Sequence, residues 1–391
     1  MPKVIMTGLE HLKEKYWKGL RGRRLGLLSN QASVDLHLRP AKEVISALLP
    51  GHLKALFTSQ HGYGAEEQDN MNETDHAHDK ELNVPIFSLY SDTRDPSPQM
   101  LELVDVLLID LQDVGCRVYT FASTMLNCMK ATSRSHKKVI VLDRPNPLGG
   151  IEVEGNPLKP PLFSFVGPYR LPMRHGLTMG EMAVMFKDVF QLDCELQVIP
   201  MRGWTREMLW EDTGLTWVMP SPNMPLPQTA YVYPGQVIWE GTNISEGRGT
   251  CRPFEIFGAP FLNPDEIRQD LSEENLEGFV LQSFRFKPMF NKWQGKLCHG
   301  FFIHLLNPRT YRPYRTTLML LKAIASRYGE EFQWASPPYE YVTDQRPIDL
   351  IIGDYWIDKW LQSNLDITAI EMTWQDELNS FQELRLKYLL Y

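Results

Sequence analysis

Cysteine is scarce, with five in 391 residues at positions 116, 128, 194, 251 and 298. The number is odd, the spacing wide, and CxxC is absent. Neither a disulfide scaffold nor a structural zinc site is therefore expected, and a reducing cytosol is the expected compartment. No apolar run approaches the roughly 20 residues that cross a bilayer, so no membrane partner is expected. The opening MPKVIMTGLEHLKEKYWKGLRGRR is broken by Glu10, Lys13 and Glu14 and lacks the apolar centre of a signal peptide. Positive charge is short as well. Forty Lys and Arg stand against 48 Asp and Glu, a net charge of −8, which argues against a nucleic-acid partner. Gly62-Tyr63-Gly64 runs on into Ala65-Glu66-Glu67 without the third glycine of GxGxxG, and the glycines between Gly241 and Gly249 carry no GK[ST]. GxSxG is missing too. No nucleotide or other cofactor is expected, and no nucleophile elbow of the α/β-hydrolase kind.

What is abundant is aromatic: ten Trp, 15 Tyr and 18 Phe, beside 28 Pro. Such residues build cores and also line sugar-binding clefts. At roughly 150 residues per domain the chain has room for about two domains, and it is long enough to bury its core without a partner. Its first half alternates short Val/Ile/Leu runs with amphipathic stretches. Strands are expected at Leu25–Leu28, Leu53–Thr58, Ile86–Tyr90, Val104–Asp110 and Lys138–Asp143, with helices near Ala41–Leu48, Gln99–Leu103 and Phe121–Thr132. A helix from Thr178 and a strand over 195–200 continue the rhythm. Continuous apolar strands alternating with helices predict an α/β fold whose mainly parallel sheet is covered on both faces. Chemistry in such sheets gathers beyond the carboxyl ends of the strands. Residues 217–260 are so rich in proline and glycine that no long regular element is expected there. Beyond them the pattern predicts helices near Pro264–Glu274, Thr316–Tyr328, Leu350–Gln362 and Ile367–Tyr388, with strands at Val280–Phe286 and Phe301–Leu305. The division follows: residues 1–261 form the α/β domain and 262–391 a smaller C-terminal α+β domain.

Polar residues bunch at the expected strand ends. Asn30-Gln31 follows the first strand and Gln60-His61-Gly62 the second. Asp110-Leu111-Gln112-Asp113-Val114-Gly115-Cys116-Arg117-Val118-Tyr119 follows the most apolar strand, and Asp143-Arg144-Pro145-Asn146-Pro147 the next. A carboxylate beside an arginine can grip a polyol or an anion, and equally can pin a loop. Two prolines stiffen the second of these loops. His61, Asp75, His76, His78 and Asp79 lie close in sequence, but their polar surroundings read more simply as a solvated loop than as a metal site, so no metal is expected. Glu154 and Glu240 sit in Gly/Asn-rich loops, near Arg174-His175 and Asn243…Arg248. Paired carboxylates across a cleft are what glycoside hydrolysis requires, and His175 is placed to carry a proton near neutrality.

LLSNQAS (27–33), QHGYG (60–64), DLQDVGCRVYTFASTM (110–125), LDRPNPLGG (142–150), VEGNPL (153–158), FVGPYRLPMRHGLTMGEMA (165–183), PSPNMP (220–225) and YPGQVIWEGTNISEGRGTCRPFEIFGAP (233–260) together resemble the NamZ-type exo-β-N-acetylmuramidases. The resemblance runs in order over most of the chain and implies a Rossmann-like domain with a smaller C-terminal domain and a cleft between them. It also implies release of non-reducing terminal N-acetylmuramic acid from peptidoglycan-derived saccharides, in cell-wall turnover. On that footing Glu154, Glu240, His61 and Asp113 form the expected catalytic set. Arg117, Arg174 or Arg248 takes the lactyl carboxylate. Asn30, Gln31, Asn223 and Asn243 address hydroxyl and acetamido groups, and Tyr119 packs on the sugar, with Gln60, Arg144, Asn146 and His175 completing the substrate contacts. One departure stands out. Gln60-His61-Gly62 replaces the family's usual Glu-His-Gly, and Gln cannot exchange a catalytic proton. Glu66 or Glu67 is the nearest replacement carboxylate in sequence, and a sugar-binding homologue without turnover, or a hydrolase of altered glycan specificity, is the competing expectation.

Overall fold

A computed structural model describes residues 4–69, 71–271 and 277–391. The chain order is α1 (Gly8–His11), β1 (Leu25–Ser29), α2 (Ala41–Leu48), β2 (Leu53–Thr58), β3 (Ala77–Asp79), β4 (Val84–Ser88), α3 (Pro98–Glu102), β5 (Val106–Asp110), α4 (Phe121–Arg134), β6 (Lys138–Leu142), α5 (Met179–Val189), β7 (Glu195–Ile199) and α6 (Pro227–Gln236). Then follow β8 (Ile256–Ala259), α7 (Pro264–Asp270), β9 (Phe279–Phe286), β10 (Cys298–Leu305), α8 (Pro313–Arg327), α9 (Pro347–Ile352), α10 (Ile357–Leu361), α11 (Ile367–Met372) and α12 (Gln375–Arg385).

Seven strands form one sheet in the order β3-β4-β2-β1-β5-β6-β7, parallel except for β3 at its edge. Every residue of β1 and β5 is buried, as their unbroken apolar sequence requires when helices cover both faces. From β1 the chain winds to one side through β2 and β4, then crosses to β5 and on to β6 and β7. The order reverses between β1 and β5, so the crevice of the sheet opens beyond Ser29 and Asp110, which are paired in register. The expected Rossmann-like α/β class is the one observed.

Three strands, β8-β10-β9, form a small antiparallel sheet. Phe279 and Leu281 of β9 are buried while Val280 and Gln282 face out, the alternation of a half-covered strand. Strand β8 precedes residue 262, so this sheet draws one strand from the Pro/Gly-rich stretch.

That stretch is more regular than its composition suggests. It holds α6, a 3-10 turn over Val237–Gly241, and β8. Pro227 occupies the first turn of α6, where a missing N–H costs nothing, and Pro234 comes so late that the helix has only two residues to run. Gly235 lets α6 lie against α8: a Cβ there would meet the Pro313 carbonyl oxygen at 2.0 Å. The helix expected over 350–362 is divided, because Gly353 adopts φ 83° and closes α9 with a left-handed cap. The one expected over 367–388 is likewise split into α11 and α12. Helix α7 runs to Asp270, and residues 272–274 of the helix expected there lie outside the described residues. Among the described residues no helix is long and apolar enough to cross a membrane.

Candidate active site

Four segments converge beyond the carboxyl ends of β2 and β5. Strand β2 stops at Thr58, and Ser59, Gln60 and His61 continue as buried residues. His61 and Gly62 both take left-handed backbone (φ 80° and 86°), which turns the chain sharply out of the sheet. The connection from β5 to α4 brings Tyr119 and Thr120. The turn after α6 brings Glu240, and the loop behind it Arg248 and Phe254. Far along the chain, the turn Tyr339–Val342 brings Tyr339 and Glu340. With Ser221, Asn223 and Tyr233 these residues line one cavity. Its volume is about 30 Å³, room for a water or two and none for a sugar ring.

The loop that follows His61 lies outside the lining and is bonded to two of its residues. Asn223 Nδ2 donates to the Gln68 carbonyl at 2.5 Å, the Glu340 N–H to Met71 Sδ at 3.3 Å, and Asn291 Nδ2 to Asp69 at 2.7 Å. His61 Nδ1 donates to the Glu67 carbonyl at 2.8 Å, which leaves Nε2 as an acceptor. Burial, reinforced by the charge of Arg248 and only partly offset by the Glu67 hydrogen bond, holds this imidazole down at about 4, so it is neutral at pH 7.

Charge in the cavity centres on Arg248. Nη2 donates to Glu240 Oε1 at 2.7 Å, and Nε lies 3.3 Å from Glu246 Oε1, whose other oxygen binds Lys292 at 2.8 Å. Tyr339 donates to Glu240 Oε2 at 2.6 Å. Burial works against the guanidinium charge, yet Glu240 and Glu246 outweigh it and raise its pKa further. Nη1 is buried and makes no hydrogen bond among the described residues. A desolvated donor of this kind costs about 1–3 kcal/mol until an acceptor reaches it. Glu340 differs from Glu240 in having only neutral donors: Tyr90 at 2.7 Å on one oxygen and Gln60 Nε2 at 3.0 Å on the other. Burial raises its pKa and Glu240 raises it further, while the two hydrogen bonds and Arg94 pull the other way.

A family model described as exo-β-N-acetylmuramidase NamZ, N-terminal, matches residues 25–228, and its C-terminal counterpart matches 231–391. The chain is 38% identical over 390 residues to the peptidoglycan β-N-acetylmuramidase NamZ of Bacillus subtilis strain 168, covering all of this chain and 92% of that protein. The chain belongs to the NamZ family of exo-β-N-acetylmuramidases. Two crystal structures of DUF1343 family proteins from Bacteroides fragilis NCTC 9343 share its fold. They have TM-scores of 0.88 and 0.74 at 31% and 26% identity, each covering all of this chain and 100% and 99% of theirs.

Of the residues singled out in the sequence, this NamZ-family cavity gathers Gln60, His61, Tyr119, Asn223, Glu240 and Arg248. Asp113 stands near Tyr119, whose ionisation its charge opposes. Its Oδ2 accepts the Gly115 N–H at 2.7 Å, its Oδ1 has no partner among the described residues, and burial pushes its carboxyl up to about 7 against the pull of two backbone N–H groups.

The others lie elsewhere, and most are fully engaged. Arg117 gives its two terminal nitrogens to four carbonyls, those of Asn156, Leu171, Ile351 and Ile352, and so ties the loops beyond β5 to the end of α9. Arg144 forms a buried bidentate pair with Asp110, at 2.5 and 2.9 Å. Asn146 bridges the Leu177 carbonyl and the Leu148 N–H. Asn30 joins Gln112 to Pro220, while Gln31 Nε2 is buried without a partner among the described residues. Asn243 holds the backbone of Glu331 and Gln333. Arg174 donates to the Leu148 carbonyl and pairs by backbone with Glu154. His175 Nδ1 accepts the Leu177 N–H, and burial, with Arg385 and Arg117 nearby, lowers its pKa to about 3. Glu154 sits under α8, where one oxygen accepts the Arg315 N–H at 2.9 Å and the other has no partner among the described residues. Burial raises it to about 7.

Glu66 caps the Gly64 N–H and Glu67 accepts from Asn72, and neither lines the cavity. His76 Nδ1 accepts the Ser88 N–H, and Asp79 pairs with Lys42. Among the described residues no three His, Cys, Asp or Glu side chains form a group able to hold a metal. Glu340 and Tyr339 were not anticipated from the sequence. Their only local signal is a Glu between two tyrosines in a proline-flanked loop.

Proposed function

We propose that the chain hydrolyses the glycosidic bond of non-reducing terminal N-acetylmuramic acid in peptidoglycan-derived saccharides, and that the Glu240–Arg248 cavity is where it does so. The observation that carries this reading is the unfilled Nη1 of Arg248. N-acetylmuramic acid differs from other amino sugars of the wall by a lactyl carboxylate, and a buried guanidinium with a spare donor is a specific receptor for that group. Of the three arginines considered for it, Arg117 is occupied by carbonyls and Arg174 lies with Glu154, outside the cavity. Tyr119, Tyr233 and Tyr339 supply apolar surface for the sugar face, and Asn223 a polar contact. Glu240 is the carboxylate beside the anion site, and neutral His61 an acceptor. The five cysteines are all free, which fits a reducing compartment, and the cytosol is the proposed location.

Incubation of the pure protein with a MurNAc–GlcNAc disaccharide and with a 4-nitrophenyl N-acetylmuraminide tests the reading, with the matching N-acetylglucosaminides as controls. Release of muramic acid without cleavage of the controls is expected. Absence of release from both muraminides, beside an active relative, overturns the assignment. Binding without release, by calorimetry, is the signature of a sugar receptor instead, the alternative that the amide of Gln60 favours.

A further inference from the structure

Two carboxyl groups line the cavity, and the fold places them in opposite surroundings. Glu240 is held by a cation and a phenol. Glu340 is buried to 4% exposure and held by the neutral donors Tyr90 and Gln60 alone. Thr120 Oγ1 donates to Gln60 Oε1 at 2.7 Å, which fixes the amide so that its NH₂ faces Glu340. The backbone presents Glu340 deliberately. Tyr339 and Val342 exchange both N–H···O bonds at 3.0 Å across a two-residue turn, and both central residues, Glu340 and Tyr341, are left-handed (φ 44° and 69°). Turns of this type ordinarily use Asn and Gly, so two bulky residues here are strained and are kept for what they carry.

We infer that Glu340 is the proton donor to the leaving glycosidic oxygen, with Gln60 as its positioning residue. The inference rests on the hydrolytic reading above. A buried carboxyl among neutral donors, beside a second carboxyl paired with a guanidinium, is a geometry suited to a general acid. In the step, the Glu340 Oε–H proton passes to the glycosidic oxygen while the bond from that oxygen to C1 breaks, and the bonding pair goes to the oxygen. The aglycone leaves as an alcohol. Water supplies hydroxyl to C1, and its remaining proton restores the acid. The charged and titratable groups facing Glu340 are Glu240, Arg94, Tyr90, Tyr339 and Tyr341. Burial and Glu240 raise the proton affinity of Glu340, and the two hydrogen bonds and Arg94 favour release.

The test compares wild type, Glu340→Gln and Glu240→Gln on two muraminides, the MurNAc–GlcNAc disaccharide and the 4-nitrophenyl glycoside, whose leaving group departs without a proton. For Glu340→Gln, kcat on the disaccharide falls at least ~100-fold while the aryl glycoside loses less than ~10-fold. Glu240→Gln loses both. Equal losses by Glu340→Gln on the two substrates, or none on the disaccharide, overturn the inference and leave the hydrolytic reading standing. Wild type inactive on both substrates overturns both. A measurement on wild type alone serves should the variant fail to fold: kcat on the disaccharide falls at high pH and kcat on the aryl glycoside does not. A basic limb shared by both substrates overturns the role.

Discussion

The amide nitrogen of Gln60 lies 3.0 Å from a carboxylate oxygen of Glu340, joining positions 280 residues apart across the cavity. An amide at that point can only donate to the carboxylate. A carboxyl there would compete with it for a proton. Gln60→Glu therefore creates a coupled pair, and repulsion raises the affinity of the pair for its first proton. The basic limb of kcat on the disaccharide is expected to move to higher pH. An unchanged pH–rate profile would show that the two groups do not meet in the working enzyme.

Arg248 is assigned the lactyl carboxylate, so Arg248→Lys removes the spare donor while keeping a positive charge. kcat/KM on the muraminide should fall roughly 10- to 150-fold, the loss of a charge-assisted hydrogen bond worth about 1.5–3 kcal/mol. Discrimination against the N-acetylglucosaminide should fall in parallel. Retained discrimination would place the carboxylate elsewhere.

Arg117 was a candidate for the same role, and its geometry gives it another. Arg117→Met takes a donor from four carbonyls, of which Leu171 keeps the Leu158 N–H and Ile352 the Asn156 amide, and is expected to cost at least about 2 kcal/mol in urea unfolding. Folded enzyme should keep the wild-type KM. A raised KM with normal stability would return Arg117 to the substrate.

Glu154 offers a check by pH. Burial raises its carboxyl from 4.5 to about 7, so the folded state binds its proton more tightly than the unfolded chain does. Its contribution to stability is complete below about pH 4.5 and is lost as pH rises through 7, a span on the order of 3 kcal/mol. Glu154→Gln should flatten the stability curve over that window and leave kcat near wild type. A large fall in kcat would bring Glu154 into the mechanism.

The cavity is too small for a sugar while the loop after His61 is bonded to its lining residues Asn223 and Glu340. Amides of residues 62–69 and 71–76 should exchange hydrogen faster than those of β2 and gain protection when N-acetylmuramic acid binds. Exchange as slow as that of β2, unchanged by the sugar, would mean that substrate enters another way.

The sheet was legible because its strands are buried on both faces. Leu25–Ser29 and Val106–Asp110 have no polar residue before their ends, so periodicity and length decide them. Helix α6 was not, because its two prolines read as breaks until their positions in the helix are known. The site was legible where a strand end delivers it, as with Gln60, His61 and Tyr119, and where a Glu and an Arg lie close in one loop, as with Glu240 and Arg248. Strand ends also deliver residues that only tie loops together. Asn30, Arg144 and Asn146 look alike in sequence, and their partners, Pro220, Asp110 and Leu177, are fixed by the tertiary fold. Glu340 had no such cue, because its meaning comes from Gln60 and Tyr90, both distant in the chain.

The four carbonyls on Arg117 bear on how the molecule breathes. Parting the α/β sheet from α9 would strand a full positive charge among oxygens that had solvated it, so a hinge along that seam is stiff. Several described residues after His61 are held by bonds that water can replace, those to Asn223, Asn291 and the Glu340 N–H. Loosening those three bonds strands no fully buried charge, so the molecule yields there before it yields at the seam.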